Sequence, residues 1–326
     1  ATERLKSMAQ ARTSLAACFE DLVGHSGNAG RLMHSDESGF MKRILEGRLR
    51  DWRDERRGLN QEYASTEGTQ PRSEFPYPVA AAQRSIRRSW PALLRFEKVL
   101  DAAEAAVAVA ALLAADQLRN AGGDIRHPYL EKPGFSSWPI IARDFCKQLP
   151  RGKQTPLFSP GTWKAISTAY EPLENCRNLR HGHGPTHLLD AFYDELLHEV
   201  EPSLENVITL LAPLRAIRMA RIISQVARRG EVPSARVELL VGSNAAFEPD
   251  LVSPLPRDIF DNDVVLLTED GDVRSLFPFF VAFDVGGWHT VGCLSGVRHG
   301  RGRFLCRASG EETELAVDEE ALLPKG

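Results

Sequence analysis

The 326-residue chain is long enough for two or three domains, and its 43% hydrophobic and 26% charged residues are ordinary for a globular protein. Its formal net charge of −4 argues against a general nucleic-acid coat protein, so any contact with nucleic acid must be local. The five cysteines are scattered and odd in number, which argues against a disulfide framework. We therefore expect a cytoplasmic protein.

No stretch of the sequence is typical of a leader or a membrane anchor. The first residues, Ala1 to Arg4, begin no apolar core. The longest apolar run, Ala102 to Ala115, contains Glu104 and is too short to cross a bilayer. We expect no membrane association.

The first 70 residues predict a helical segment. Apolar residues recur at helical spacing over 3–24 and again over 41–63, where arginines alternate with acidic residues. These arginines indicate a solvated helix face with ion pairs, and a surface that follows RNA is the alternative. A break rich in Thr, Gly, Pro and Ser follows at 65–78, where Phe75 to Pro78 are predicted to be extended.

Residues 71–230 predict a helical bundle. Pro91 opens a long helix that ends near Gly122-Gly123, and its many alanines would let another helix approach closely, either in a tight bundle or in a dimer contact. Further helices are predicted over 138–149, over 162–179 with a kink or break at Pro172, after Thr186, and over 202–228 with a bend at Pro213.

Residues 231–326 change to short strands and predict a small antiparallel sheet or open barrel, separable from the helices near 230–234. The strands are predicted over 236–241, 263–268, 273–283, 288–297, 303–308 and 312–317, with turns at Asp270-Gly271, Gly286-Gly287 and Gly300-Arg301-Gly302. The predicted fold class is therefore α+β: an N-terminal helical segment, a mainly helical bundle and a small C-terminal antiparallel β domain.

The segment 174–187 brings three histidines and two arginines to the end of one predicted helix and the start of the next. Histidine can transfer a proton near neutral pH, and arginine binds phosphate through a planar fork of N–H groups. Together they are sufficient to cleave RNA without a metal, with the ribose 2′-hydroxyl as the nucleophile. The candidate residues are Arg177, Asn178, Arg180, His181, His183 and His187.

This segment resembles the signature of the HEPN superfamily, in which an arginine, often followed by a polar residue, is separated from a histidine by four to six residues. Arg177 and His183 are separated by five residues, and Asn178 takes the polar position. The Arg-Asn start and the Gly-His-Gly end are similar to HEPN domains of bacterial abortive-infection proteins. His181, with three intervening residues, falls short of the spacing, so His183 is ranked first.

The resemblance implies a helical bundle that dimerises, so that two copies of the motif form one composite site. It implies Arg177, Asn178 and His183 as catalytic residues, and Arg180, His181 and His187 as residues that bind the substrate. No metal and no other cofactor is expected.

The expected function is that of an RNA endonuclease, a hydrolase of a bacterial antiviral defence or toxin system that acts as a homodimer. The β domain would regulate it or dock a partner protein of the defence system. The alternative is a non-catalytic HEPN dimer that serves as a regulatory or assembly subunit of a defence complex. A simpler interpretation is that the helix dipole alone gathers Arg and His at a helix C-terminus.

Other patterns are weaker. Arg119-Asn120 precedes His127 by a gap too long for the HEPN spacing and is interpreted as a helix end with a loop. His289, Cys293, His299 and Cys306 could together form a zinc site. Because they lack a Cys-x-x-Cys pair, we expect buried cysteines and surface histidines instead. Screened surface charge or an RNA contact would explain the hairpin arginines Arg298, Arg301, Arg303 and Arg307.

Overall fold

The computed structural model describes residues 75–86, 91–149, 157–182, 190–226, 233–242, 248–252, 254–256, 258–268, 272–285 and 288–324. The chain divides between Gln70 and Pro71, and every described residue lies in the second unit. The predicted helical segment at 1–70 lies outside the described residues. In the part that is described, helices and antiparallel sheets confirm the α+β class. No helix in that part is long and apolar enough to span a membrane.

The described residues form six α-helices: α1 Tyr77–Ile86, α2 Ala92–Asn120, α3 Trp138–Gln148, α4 Pro160–Gly182, α5 Asp190–Leu210 and α6 Glu319–Leu322. The predictions of α2 and α3 are confirmed almost to the residue. Helix α4 continues through Pro172 and ends at Gly182, three residues later than predicted. The segment Phe75 to Pro78 is extended only in its first half, where Pro76 forms an antiparallel bridge with Val241. Helix α1 begins at Tyr77, and Pro78 is tolerated in its first turn because the N–H that proline lacks would have no partner there.

Nine strands form two antiparallel sheets, with the orders β3-β2-β1-β4-β5 and β6-β7-β8-β9, rather than one sheet or an open barrel. The strands are β1 Arg218–Val226, β2 Ser234–Leu239, β3 Glu248–Val252, β4 Val264–Leu267, β5 Val273–Ser275, β6 Phe280–Val285, β7 Trp288–Arg298, β8 Arg301–Cys306 and β9 Glu311–Ala316. A turn at His299-Gly300, with φ angles of 53° and 70°, joins β7 to β8. The other two predicted turns lie outside the described residues.

The predicted helix over 202–228 is confirmed as far as Leu210 and is wrong beyond it. Helix α5 passes through Pro202 and ends at Leu210, and a 3₁₀ turn over Ala212–Ala216 leads into β1. Strand β1 is the central strand of the first sheet, because β2 and β4 pair with it on both sides. Short apolar runs fit both periodicities, and here the backbone pairing from two neighbours decides in favour of the strand.

Helix α2 lies at the centre of the helical layer. It packs against α1, α3, α4, α5 and β7. Its small side chains allow this close approach, and none of the following is more than 2% exposed: Ala102, Ala103, Ala105, Ala106, Ala108 and Ala110. The alanines therefore serve packing within the chain. They are not available as a dimer surface.

One hydrophobic core joins the helices to both sheets. Met219 and Val264 of the first sheet, and Phe280 and Leu294 of the second, belong to the same buried cluster as α2. A smaller cluster lies on the opposite face of the first sheet. The predicted boundary between a 71–230 bundle and a 231–326 β domain is therefore wrong, because a shared core crosses it and β1 lies on its helical side.

Candidate functional site

Arg177 and Asn178 lie near the C-terminal end of α4. The buried side chains of Leu173 and Cys176 turn one face of this helix towards the core. Asn178 is consequently exposed, and Arg177 is half-buried at the margin of the core. This helical repeat places the arginine where its side chain reaches both the interior and the solvent.

The guanidinium of Arg177 rests on an aromatic stack. Its central carbon lies 5.3 Å from the centroid of the Phe135 ring. The Phe135 ring stacks in turn on Tyr170, with centroids 4.5 Å apart and planes inclined by 22°. A ring face attracts a guanidinium through its quadrupole and takes up none of the N–H groups in the plane of the cation. Within the described part of the chain, no carboxylate forms an ion pair with Arg177.

Tyr170 forms the buried base of this stack. Burial, reinforced by the negative charge of Glu104, raises the pKa of Tyr170 well above its ordinary value of 10.0, although Arg307 and Arg177 act in the opposite direction. Its hydroxyl group is buried and has no hydrogen-bond partner among the described residues. Tyr170 is therefore neutral at physiological pH, and its role in the stack is to support a ring rather than to transfer a proton.

The charges beneath the stack are held by three elements. Glu104 of α2 lies 2.8 Å from the Nη2 of Arg307, which follows β8, and accepts a hydrogen bond of 3.2 Å from the indole of Trp138 in α3. These contacts tie the helical layer to the second sheet close enough to Tyr170 for both charges to affect its pKa. The floor of the candidate site is therefore built by the shared core.

The remaining predicted site residues are placed less completely. Because α4 continues to Gly182, Arg180 and His181 belong to its last turn, and His181 follows Arg177 by one helical turn along the backbone. The side chains of Arg180 and His181 lie outside the described part, as do His183 and His187 entirely. The structure thus brings Arg177 and Asn178 to one helix end, and their pairing with His183 stays a prediction.

No family model, curated protein or solved structure matches this chain. The HEPN resemblance therefore depends on the segment Arg177 to His183 itself.

Two members of the arginine stack were not predicted as site residues from the sequence. Tyr170 lies within the helix predicted over 162–179 without a role in the site, and Phe135 was not singled out. Tyr170 precedes Arg177 by seven residues, or two helical turns, so its position on the same face was a readable signal. Phe135 lies 42 residues before Arg177, and no local pattern connects the two.

The alternative zinc ligands do not come together. His289 pairs through Nδ1 with Asp284, and its Nε2 lies 3.3 Å from the Nη2 of Arg221. Cys293 and Cys306 are buried free thiols, and burial raises the pKa of Cys293 to about 12. The part of the chain that the structure describes contains no group of three potential metal ligands.

The hairpin arginines are largely neutralised by carboxylates. Arg301 lies 3.2 Å from Glu314, and Arg303 lies 3.9 Å from Glu312, both on the neighbouring strand β9. Arg307 turns inwards to Glu104. These pairs favour the interpretation as screened charge over an RNA contact, because a phosphate would have to displace the acidic partners.

Proposed function

We propose that this chain is a metal-independent RNA endonuclease of the HEPN type, in which Arg177 stabilises the phosphate and His183 transfers a proton. The observation that supports the proposal is the state of Arg177. The residue is half-buried, and its guanidinium lies on an aromatic ring and has no carboxylate partner among the described residues. Such a group keeps its planar fork of donors for a phosphate.

The proposed reaction begins with attack of a ribose 2′-hydroxyl oxygen on the adjacent phosphorus. The new O–P bond forms as the bond from phosphorus to the 5′-oxygen breaks. One imidazole accepts the proton of the 2′-hydroxyl, and a protonated imidazole donates to the departing 5′-oxygen. Arg177 stabilises the negative charge that develops on the phosphate oxygens. The products are a 2′,3′-cyclic phosphate and a 5′-hydroxyl, with all atoms accounted for.

A homodimer belongs to the proposal, since two copies of His183 could serve as acid and base in one composite cleft. The buried alanines of α2 give the dimer no support, so it rests on the resemblance alone. Light scattering at micromolar concentration should show a dimer. A monomer that nevertheless cleaves RNA would contradict the composite site.

The direct test is single-turnover cleavage of RNA by the purified protein with a chelator present. We expect Arg177→Ala to lower the rate by about 10²–10³-fold, and His183→Ala by about 10²–10⁴-fold. His181→Ala should have a milder effect. Arg298→Ala, which removes an exposed arginine of the β7–β8 hairpin, is the matched control and should cleave like the wild type.

Circular dichroism must show that each variant is folded. If Arg177→Ala and His183→Ala are folded and cleave normally, these two residues are not the catalytic ones. If the folded wild type does not cleave RNA, the chain is better explained as a non-catalytic subunit. If His181→Ala is the inactive variant, the domain assignment survives but the assignment of the histidine is wrong.

The proposed setting is a bacterial antiviral, abortive-infection or toxin system, with a partner protein of that system docking on the β region. Expression in bacteria should then be toxic, and Arg177→Ala should relieve the toxicity. Equal toxicity of the wild type and the folded variant would remove RNA cleavage as its cause.

A further inference from the structure

The ring of Phe135 is fixed before any ligand arrives. Phe135 is 1% exposed and begins a 3₁₀ turn, Phe135–Ser137, that runs directly into α3. The hydroxyl of Ser137 accepts a hydrogen bond of 2.7 Å from the Gly134 N–H and donates one of 2.8 Å to the Gly134 carbonyl. The following residue, Trp138, is fully buried and bonds Glu104. The backbone of Phe135 is thus held on both sides.

Two different groups contact the ring of Phe135. One neighbour is the buried ring of Tyr170, nearly parallel to Phe135, and the other is the cation of Arg177. A ring held in this way cannot tilt without disturbing the core, because Tyr170 is itself fully buried. An arginine side chain that is free in solvent samples many rotamers, and ordering it on binding costs free energy.

We propose that Phe135 is a positioning residue, which orients the Arg177 guanidinium so that its N–H groups are aligned for a phosphate before RNA binds. This inference rests on the proposed function, because it concerns the same arginine that we propose stabilises the phosphate. Phe135 itself does not touch the substrate. Its contribution acts through Arg177 and should therefore disappear when Arg177 is absent.

Three variants test the inference. Phe135→Leu removes the ring, and replacement of Phe135 by pentafluorophenylalanine keeps its shape while inverting its quadrupole. Phe158→Leu is the matched control, because Phe158 is an equally buried aromatic that packs edge-on against Trp163, with centroids 5.3 Å apart. Both leucine variants lose a buried ring, but only Phe135→Leu removes the support of Arg177.

The first readout needs no RNA. In NMR spectra of the protein with ¹⁵N-labelled arginine, the Nε–H signal of Arg177 is identified by its absence in Arg177→Lys. We expect the ring current of Phe135 to shift this signal upfield. The signal should return towards its free position in Phe135→Leu and stay in place in Phe158→Leu. A signal that does not move in Phe135→Leu would overturn the inference.

The second readout is function. We expect Phe135→Leu and the fluorinated variant to lower single-turnover cleavage, and affinity for a fully 2′-O-methylated RNA, by about 3- to 30-fold. Phe158→Leu should retain both. In an Arg177→Ala background, Phe135→Leu should have no further effect. The fluorinated variant carries most weight, because a purely structural role would leave it like the wild type.

The two failures can be told apart. If Arg177→Ala cleaves and binds like the wild type, the proposed function fails and the positioning role fails with it. If Arg177→Ala loses cleavage while Phe135→Leu and the fluorinated variant match the control, only the positioning role is overturned.

Discussion

The dipeptide Arg-Asn occurs near the C-terminal ends of both α2 and α4, and the two arginines have opposite surroundings. The Nη2 of Arg119 lies 2.6 Å from the carboxylate of Asp116 and donates a hydrogen bond of 2.8 Å to the Ser275 carbonyl, while Nη1 donates to the Phe277 carbonyl. Arg177 has a ring face beneath it and no carboxylate partner among the described residues. The guanidinium of Arg119 is therefore bonded to one carboxylate and two carbonyls, whereas that of Arg177 has a ring and no carboxylate among the described residues.

The histidines that follow the two pairs can be compared only in part. His127, after Arg119-Asn120, is buried, and its Nδ1 accepts a hydrogen bond of 3.3 Å from the Tyr129 N–H. His183, after Arg177-Asn178, lies outside the described residues. The comparison teaches that a dipeptide does not mark a site. Donors that are already satisfied mark a structural junction, and donors that remain available mark a candidate for ligand binding.

The largest expected effect concerns the junction around Arg119. Asp116 is fully buried and also lies 2.6 Å from Arg274 of β5, so Asp116→Ala strips two arginines of their carboxylate. We expect the free energy of unfolding to fall by about 3–5 kcal/mol. Urea denaturation measures it. Asp101→Ala, which breaks the more exposed pair with Lys98, is the control and should cost about 0–1 kcal/mol.

A direct comparison of the two arginines should give a smaller difference. Methionine keeps much of the side-chain stem but removes the guanidinium, so Arg119→Met and Arg177→Met compare the two sets of donors. Arg119→Met should lower the free energy of unfolding by about 1–3 kcal/mol, because Asp116 and two carbonyls lose a partner. Arg177→Met should lower it by only about 0.5–1 kcal/mol, the contribution of an accessible cation–π contact. A reversed order in urea denaturation would break the comparison.

The smallest expected effect is a pH dependence from His127. Burial lowers the pKa of this imidazole below its ordinary value of 6.5, although Asp144 acts in the opposite direction. Below pH 6.5 the unfolded chain therefore binds more protons at this position than the folded chain does. The stability contributed here is complete above pH 6.5 and decreases as the pH falls through the interval between the two pKa values.

Urea midpoints of the wild type and of His127→Gln, measured between about pH 5 and 7.5, isolate this contribution. The wild type should lose more stability on acidification than the variant. Parallel curves would show that His127 is not a buried neutral imidazole. His127 would then resemble the exposed, titrating histidine that is expected at a proton-transfer site.

Local periodicity in the sequence was sufficient for much of the secondary structure. The apolar spacing after Pro91 predicted α2, and the alternating residues with Gly300 at the turn predicted β7 and β8. In these elements the local preference and the final packing agree, so a short window of sequence contains the answer. The residue types of the segment at the end of α4, an arginine and histidines beside glycines, are likewise visible in the sequence alone.

Tertiary structure decided the rest. Residues 218–226 form a strand because β2 and β4 supply backbone partners from both sides. The spacing of their apolar residues resembles that of a helix and could not reveal these partners. The same long-range packing joins helices and sheets in one core and places Phe135 beneath Arg177. The sequence by itself determined which chemical groups this chain carries and where they lie along it. Which acceptors surround Arg119 and which ring lies against Arg177 depended on contacts between residues far apart in sequence, because a guanidinium contacts whatever groups the folded chain brings to it.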